Sequence, residues 1–218
     1  AKASTDITYW PEAIRRGVEL RTRCRVREIT IDERGMADGV VYYDSDGVER
    51  SQSAEMVIVA CNGIGTPRLL LNSTSARFPD GLANSSGLVG RNLMLHAMAV
   101  TQGIFDGPME GYKGPIGCSL WSKEFYETDL NRGFARGYTM EILRGNGPVA
   151  AAQMGMMMGA LPWGEGHHAA FRQMFDKSAA ICAVCEDLPE EHNRVTLDPD
   201  MTDSHGIPAP KINYVLGE

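Results

Sequence analysis

Apolar and polar residues alternate in short segments over the first part of the chain. Residues 10–17 hold a proline near the start and a glycine at the end, which predicts a short helix. From residue 20 to residue 32, apolar side chains recur at every second position with one slip in phase, which predicts a strand containing a bulge. The pair Asp46-Gly47 between two strand-like segments predicts a hairpin. We therefore expect a three-stranded antiparallel meander.

A different pattern follows in the stretch Val57–Ser73, which reads VIVACNGIGTPRLLLNS. Met56–Ala60 is apolar without alternation, which is typical of a strand buried on both faces of a parallel sheet. Two glycines then predict a turn, and Thr66 and Pro67 have the residue types of a helix N-cap and a first helical position. A strand, a glycine turn and a capped helix can together hold an anion, because the first N–H groups of a helix are unpaired.

The glycine spacing in this stretch departs from the dinucleotide-binding pattern G-x-G-x-x-G. Gly63 and Gly65 supply the first pair, but Arg68 occupies the third position. No acidic residue follows about 20 residues on at the end of a second predicted strand. The turn is therefore not predicted to be the primary nucleotide site, and a plain connection between strand and helix stays an alternative.

The second half of the chain has a different texture. Residues 74–96 are dense in Gly, Ser, Asn and Pro, which predicts a long loop or a crossing between domains. We place a domain boundary near His96. Beyond it, short strand-like segments alternate with Gly and Pro turns, which predicts an antiparallel sheet with few helices. We therefore expect a mixed α/β fold with domains 1–96 and 97–218.

Composition excludes several classes of function. The chain has 218 residues, of which 43% are hydrophobic and 22% charged, as in ordinary globular proteins. A net charge of -7 without a basic cluster argues against a nucleic-acid surface. Residues 148–163 carry no charge but are shorter than the roughly 20 residues of a membrane-spanning helix, so we expect a buried or cofactor-facing segment and no transmembrane segment. Five cysteines in a chain of this size favour reduced thiols over a disulfide framework.

Four stretches carry a resemblance to a known family. They occur in the order AIRRGVELRTRCRVREITID, VIVACNGIGTPRLLLNS, GLVGRNLMLH and EDLPEEHNRVTLDPDMTDSHGIPAPKINY. Together they resemble the glucose/methanol/choline (GMC) FAD-dependent oxidoreductases, whose second signature reads A-A-G-A-I-x-T-P-x-L-L-x-x-S. The last stretch is similar to the gluconate-dehydrogenase-like and choline-dehydrogenase-like branch of that family.

This resemblance implies a function and a set of cofactor contacts. It implies oxidation of a CH–OH group in a small alcohol, sugar or sugar acid by hydride transfer to FAD, with an electron-acceptor subunit as a candidate partner. It also implies a partial FAD-binding, Rossmann-like domain followed by an antiparallel-sheet substrate domain. The cofactor-binding residues carried over by the match are Val26, Ala60, Cys61, Asn62 and Gly63. Asn62 stands where the family usually has glycine, and Asn tolerates a left-handed backbone better than most residues.

Two patterns of the family are absent from this sequence. One is the G-x-G-x-x-G near the family's N-terminus, and the other is the catalytic His with its His or Asn partner near the C-terminus. We therefore expect an internal fragment that is inactive alone, with no catalytic residue in this chain and the catalytic pair beyond Glu218. His96, at the end of GRNLMLH, is expected to have a local hydrogen-bonding role, and His192 and His205 are expected to be solvated.

Alternative functions rest on clusters in the second half. Cys182 and Cys185 form a C-x-x-C, but on a predicted strand residues three apart point to opposite faces, so we expect inert thiols. A copper-binding module would combine this pair with MGMMMG and the two histidines that begin at His167, since thioether, imidazole and thiolate suit copper. A catalytically inactive structural fragment is the other alternative. Glu186 and Asp187 diverge on a strand and cannot flank one bond, although Cys185 or Glu186 is a candidate for facing substrate.

Overall fold

The computed structural model describes residues 4–114, 120–134 and 136–217, and the mixed α/β fold is confirmed. In chain order the elements are α1 (Tyr9–Arg15), β1 (Arg25–Ile31), β2 (Ala37–Tyr43), β3 (Glu49–Ser53), α2 (Asn62–Asn72), β4 (Met98–Ile104), β5 (Trp121–Ser122), a 3-10 turn (Leu130–Arg132), β6 (Tyr138–Leu143), α3 (Pro148–Met157), α4 (His167–Met174), β7 (Ser178–Cys185), β8 (Arg194–Thr202) and β9 (Pro208–Asn213).

The chain forms two compact units. One is continuous and runs from Leu95 to Asp187, and the other runs up to Met94 and resumes at Leu188. The first break lies close to the boundary that we placed near His96. The sequence assigned residues 188–218 to the second domain, whereas in the structure residues from Leu188 onwards pack with those before Met94. The strands β8 and β9 form a separate two-stranded sheet in this unit, and both contact α2.

The predicted meander is confirmed. Strands β1, β2 and β3 form an antiparallel sheet in that order, so β1 is an outer strand. The register shifts between Val26 and Glu28, which leaves Arg27 as the extra residue of a bulge. Ile29 and Val41 on these strands belong to the buried core.

Three turns of this unit share the sequence pattern Asp-x-x-Gly and the same backbone geometry. They begin at Asp32, Asp44 and Asp203. In each turn the N–H of the aspartate donates to the carbonyl four residues on, and the glycine N–H donates to the aspartate carbonyl. The aspartate side chain accepts from the N–H groups two and four residues on. The glycines have φ between 75° and 84°, as expected of a three-residue hairpin loop with a left-handed glycine.

The buried centre of the same unit lies where β8 meets the loop before Met94. Val195 is 2% exposed, and its N–H donates to the carbonyl of Gly90 at 2.8 Å. Asn193 is fully buried, and its side chain exchanges two hydrogen bonds with the backbone of Val215, at 2.7 and 3.0 Å. A buried amide without such partners would be costly, so these bonds fix the chain that follows β9 against β8.

The continuous unit contains an antiparallel sheet, as predicted, and its four strands lie in the order β4-β7-β6-β5. Residues 148–163 were expected to be buried or cofactor-facing. Burial of the whole segment is wrong, since Met157 and Trp163 are 84% and 90% exposed, and the cofactor-facing alternative stays a prediction. Helix α3 has apolar residues around its whole circumference, but only one side of it packs against the rest of the unit. That side is at Gly155, where a Cβ would meet Leu161 at 2.7 Å. Among the described residues, no helix is long and apolar enough to cross a membrane.

The predicted buried strand Met56–Ala60 does not form within the described part of the chain. The segment pairs with no strand among the described residues, and Met56 and Ile58 are 75% and 81% exposed. A strand is defined by hydrogen bonds to a neighbouring strand, and this segment forms no such ladder in the described residues. The apolar run is therefore extended, and every second side chain along it is exposed to solvent.

Candidate cofactor-binding site

Helix α2 begins earlier than the sequence predicts. Asn62 has a left-handed backbone with φ of 60°, and its side-chain oxygen accepts from the N–H groups of Ile64 at 3.0 Å and Gly65 at 3.3 Å. Asn62 thus supplies the cap that we assigned to Thr66, because one residue combines the left-handed backbone and the acceptor oxygen. Pro67, predicted as the first helical residue, lies inside the helix and is buried.

A first cleft lies between the bulged start of β1 and helix α2. It brings together Val26 and Cys61, two of the residues predicted to contact a cofactor, although they are distant in sequence. The polar side chain of Asn72 and the backbone around Gly65 also line it. The cleft holds about 240 Å³. Pockets that enclose a whole drug-sized ligand hold about 300–1,000 Å³, so this cleft suits one end of a larger molecule.

A second cleft lies at the start of α2. Asn62 and Gly63, two further predicted contacts, line it together with residues 89–94 of the loop that precedes β4, and it holds about 460 Å³. Ala60 lines neither cleft. All five predicted cofactor residues are exposed, and four of them border the two clefts beside α2. Their contact with a cofactor stays a prediction.

The arginines around the first cleft differ in what neutralises them. Arg68 is tied to Asp203, and Arg27 forms ion pairs with Glu28 and Glu49. The hydrogen bond to Glu28 raises the pKa of the Arg27 guanidinium, and burial lowers it by less. Among the described residues Arg25 forms no ion pair, so its exposed guanidinium brings an unneutralised positive charge to the cleft.

Sequence reasoning missed two polar residues at the end of α2 that bond the backbone of β1. The side-chain amide of Asn72 donates to the carbonyl of Arg27 at 2.8 Å, and the hydroxyl of Ser73 accepts from the N–H of Ile29 at 2.9 Å. Ser73 is buried and its own hydroxyl donates to Leu69. The available signal was their position, because two polar residues directly follow a run of leucines at the end of a helix.

The candidates in the continuous unit have structural partners. Cys182 is buried on β7 and Cys185 is half-buried at its end, so the predicted strand is confirmed. Glu186 accepts from the N–H of Gly137, and the buried carboxylate of Asp187 accepts from the N–H of Leu95. Whether Cys185 or Glu186 faces substrate stays a prediction.

Metal binding gains no support from the described residues. They contain no group of three or more His, Cys, Asp or Glu side chains that could hold an ion, and Cys118 lies outside them. Neither cysteine of the C-x-x-C is therefore part of such a group in the described part of the chain.

Three histidines were assigned minor roles, and one of these assignments was wrong. His96 is exposed, with Nδ1 3.3 Å from the carbonyl oxygen of Cys185, which fits the expected local hydrogen bond. His192 is exposed beside Glu190. His205 is half-buried instead of solvated, because its ring stacks on Tyr43 with centroids 5.2 Å apart.

Comparison with known proteins identifies the family. Residues 1–98 match the model of the GMC oxidoreductase family. Over 210 residues, 95% of this chain, the sequence is 46% identical to the 2-methyl-1,2-propanediol dehydrogenase of Mycolicibacterium austroafricanum. The chain belongs to the GMC oxidoreductase family. The match to the diol dehydrogenase covers 38% of that protein, so this GMC chain spans well under half of the relative's length.

Two further GMC relatives extend the comparison. The chain is 29% identical over 205 residues to the fructose dehydrogenase large subunit of Gluconobacter japonicus, covering 93% of this chain and 36% of that protein. It is 30% identical over 131 residues to the paromamine 6'-oxidase of Streptomyces fradiae, covering 56% of this chain and 24% of that protein. The family resemblance read from the four sequence stretches is confirmed, and GMC oxidoreductases are generally FAD-dependent. The narrower likeness to the gluconate-dehydrogenase-like branch stays a prediction.

Proposed function

We propose that this chain is part of an FAD-dependent GMC oxidoreductase that oxidises the CH–OH group of a small alcohol, sugar or sugar acid. Family membership supports the reaction class. The names of the relatives support the substrate class, since they are a diol dehydrogenase, a fructose dehydrogenase subunit and a paromamine oxidase. Because the chain spans 38% of the diol dehydrogenase, the activity belongs to a longer protein in this proposal.

The observation that carries the cofactor proposal is the cleft shared by Val26 and Cys61. Residues of β1 and α2 line it, and one of them is Gly65, whose missing side chain lets a ligand approach the main chain there. The positive charge of Arg25 suits the phosphate-bearing side of a nucleotide. The residues present therefore fit one end of FAD, and we assign the adenine end to Val26. When bound, FAD supplies the hydride acceptor, and this chain binds and orients it.

The extended segment Met56–Ala60 is the second element of the proposal. Its exposed Met56 and Ile58 and its open backbone suit a strand within a larger sheet. We propose that strands of the complete protein outside this chain pair with it. Ala60, Cys61 and Asn62 at its end would then lie at the carboxyl edge of that sheet, where ligands of α/β proteins bind.

An electron-acceptor subunit is a further proposal. It rests on the name of one relative, the large subunit of a fructose dehydrogenase. The test is whether a second polypeptide co-purifies with the complete protein. An absorbance spectrum of that second polypeptide then shows whether it carries a redox group, independently of the flavin. A single polypeptide that reduces a soluble dye without a second subunit would contradict it.

The central experiment is anaerobic titration of the purified complete protein with candidate substrates. We expect flavin absorbance at near one equivalent per chain and bleaching of that absorbance by one or more of a panel of vicinal diols, ketohexoses, sugar acids and amino sugars. Absence of flavin would contradict the cofactor proposal. Bound flavin that none of the hydroxyl compounds bleaches, under conditions in which dithionite does, would contradict the substrate class.

A further inference from the structure

The outer edge of β1 is closed by side chains instead of a strand. The amide of Asn72 and the hydroxyl of Ser73, at the end of α2, bond the backbone of Arg27 and Ile29 at 2.8 and 2.9 Å. These are the edge groups that a fourth strand would otherwise bond. The last turn of α2 therefore takes the place of a neighbouring strand over three residues of β1.

Asn72 has a second position that Ser73 lacks. It lines the first cleft together with Arg25, Val26 and Arg27, whereas Ser73 does not line it. Arg27 is the bulged residue, and the register of β1 and β2 shifts there. A bulge leaves the local ladder disrupted, so the carbonyl that Asn72 bonds is held by a side chain at the point where the sheet holds it least.

We propose that Asn72 is a positioning residue for the cofactor. By holding the bulged segment Arg25–Arg27 against α2, it keeps the cofactor-binding backbone of β1 in place. This inference rests on the proposed function, in which Val26 contacts the adenine end of FAD. A segment already held in its bound conformation binds more tightly, because less conformational freedom is lost on binding. Asn72 acts through Arg27 and Val26 and has no role in the chemical step.

Two variants of the complete protein remove the donor of this bond. Asn72→Asp keeps the shape of the side chain, and Asn72→Leu keeps its branching and number of heavy atoms and removes both polar groups. After the flavin is stripped, FAD binding is measured by flavin fluorescence, and ADP, which carries the adenine but no flavin, is titrated as competitor. We expect both dissociation constants to rise by about 5–10-fold in each variant, as for the loss of one hydrogen bond.

Ser73→Ala is the matched control, because it removes the neighbouring bond to the same strand edge at a residue outside the cleft. We expect it to lower the melting temperature as much as either Asn72 variant, or more, since Ser73 is buried. Its dissociation constants for FAD and ADP stay within about twofold of wild type. A purely structural role for Asn72 would move stability and ligand binding together in all three variants.

Three results separate the possible failures. If wild type binds FAD but the Asn72 variants bind FAD and ADP as tightly as Ser73→Ala, the inference is overturned and the proposed function stands. If the Asn72 variants weaken FAD and leave ADP binding unchanged, the adenine end is not the part that Asn72 orders, and the inference is again overturned. If wild type binds no FAD, the proposed function fails and this inference fails with it.

Discussion

Arg68 and Asp203 form an ion pair of 2.9 Å between helix α2 and the turn that joins β8 to β9, across 135 residues of sequence. The same guanidinium donates to the carbonyls of Pro208 at 2.7 Å and Ile207 at 3.0 Å. The position where a dinucleotide fingerprint has its third glycine is thus occupied by the side chain that fastens the distant hairpin to the helix.

Arg68→Ala is expected to destabilise the protein by about 2–4 kcal/mol, because a mostly buried carboxylate and two carbonyls lose their shared donor. Urea unfolding followed by circular dichroism measures the change. Arg34→Ala is the matched control, since Arg34 pairs with Asp32 in an equivalent turn but its side chain is 83% exposed. We expect that change to stay within about 0.5 kcal/mol. Equal losses in the two variants would contradict the role given to Arg68.

The same pair predicts a pH dependence. Burial raises the pKa of the Asp203 carboxyl, but the hydrogen bonds from Arg68 and from the N–H groups of His205 and Ile207 outweigh it and hold the pKa below its ordinary value. A lowered pKa stabilises the folded state above the unfolded pKa of about 3.9, and this stabilisation is lost as the pH falls through the folded pKa.

We therefore expect the stability difference between wild type and Asp203→Asn to be constant between about pH 5 and pH 7 and to shrink below about pH 4. Urea unfolding at a series of pH values measures it. Asp203 in the Arg68→Ala variant lacks its charged donor, so a second comparison in that background is expected to show a smaller change with pH. A difference that widens on acidification would refute the assignment.

Local rules predicted the elements that depend on near neighbours. The meander and its hairpin followed from alternation and from Asp46-Gly47, and both are observed. Contacts such as that of Arg68 with Asp203 depend on how segments distant in sequence pack together, so no local sequence pattern predicts them. For the same reason the packing of residues from Leu188 onwards against the first part of the chain was missed.

The start of α2 gives a third prediction. Asn62→Ala removes the cap oxygen and places alanine in a left-handed backbone, whereas Asn62→Gly removes the cap alone. We expect losses of about 2 kcal/mol for the alanine variant and below about 1 kcal/mol for the glycine variant. Thermal unfolding compares them. The reverse order would show that the left-handed backbone is not retained.

Gly90 gives a fourth prediction, on close approach. A Cβ there would overlap the carbonyl oxygen of Val195, and the residue has φ of 84°. Gly87 has φ of 70° with open space around it, which makes it the matched control. Both alanine variants carry a strain of about 1–2 kcal/mol, and Gly90→Ala adds about 1–3 kcal/mol for the overlap. Equal denaturant midpoints for Gly90→Ala and Gly87→Ala would contradict the predicted overlap at Gly90.

The candidate site was only partly visible in the sequence. Family resemblance pointed to Val26 and Cys61, which do share a cleft. It gave no indication of Asn72, because a side chain that bonds a bulged carbonyl is recognised only when strand and helix are seen together. The strand assigned to Met56–Ala60 does not form within the described part of the chain for a related reason, since its apolar residues specify burial but not the partner that provides it.

The interrupted course of the unit that contains α2 has a consequence for synthesis. The ribosome releases the chain from its N-terminus, so β1 to β3 and α2 emerge before any of the continuous unit Leu95–Asp187. That continuous unit has all its strands in one stretch and can close first. The ion pair of Arg68 with Asp203 and the hydrogen bond of Gly90 with Val195 can form only later, because Asp203 and Val195 emerge after the continuous unit. During that interval the surface of α2 that the β8–β9 hairpin later covers stays uncovered.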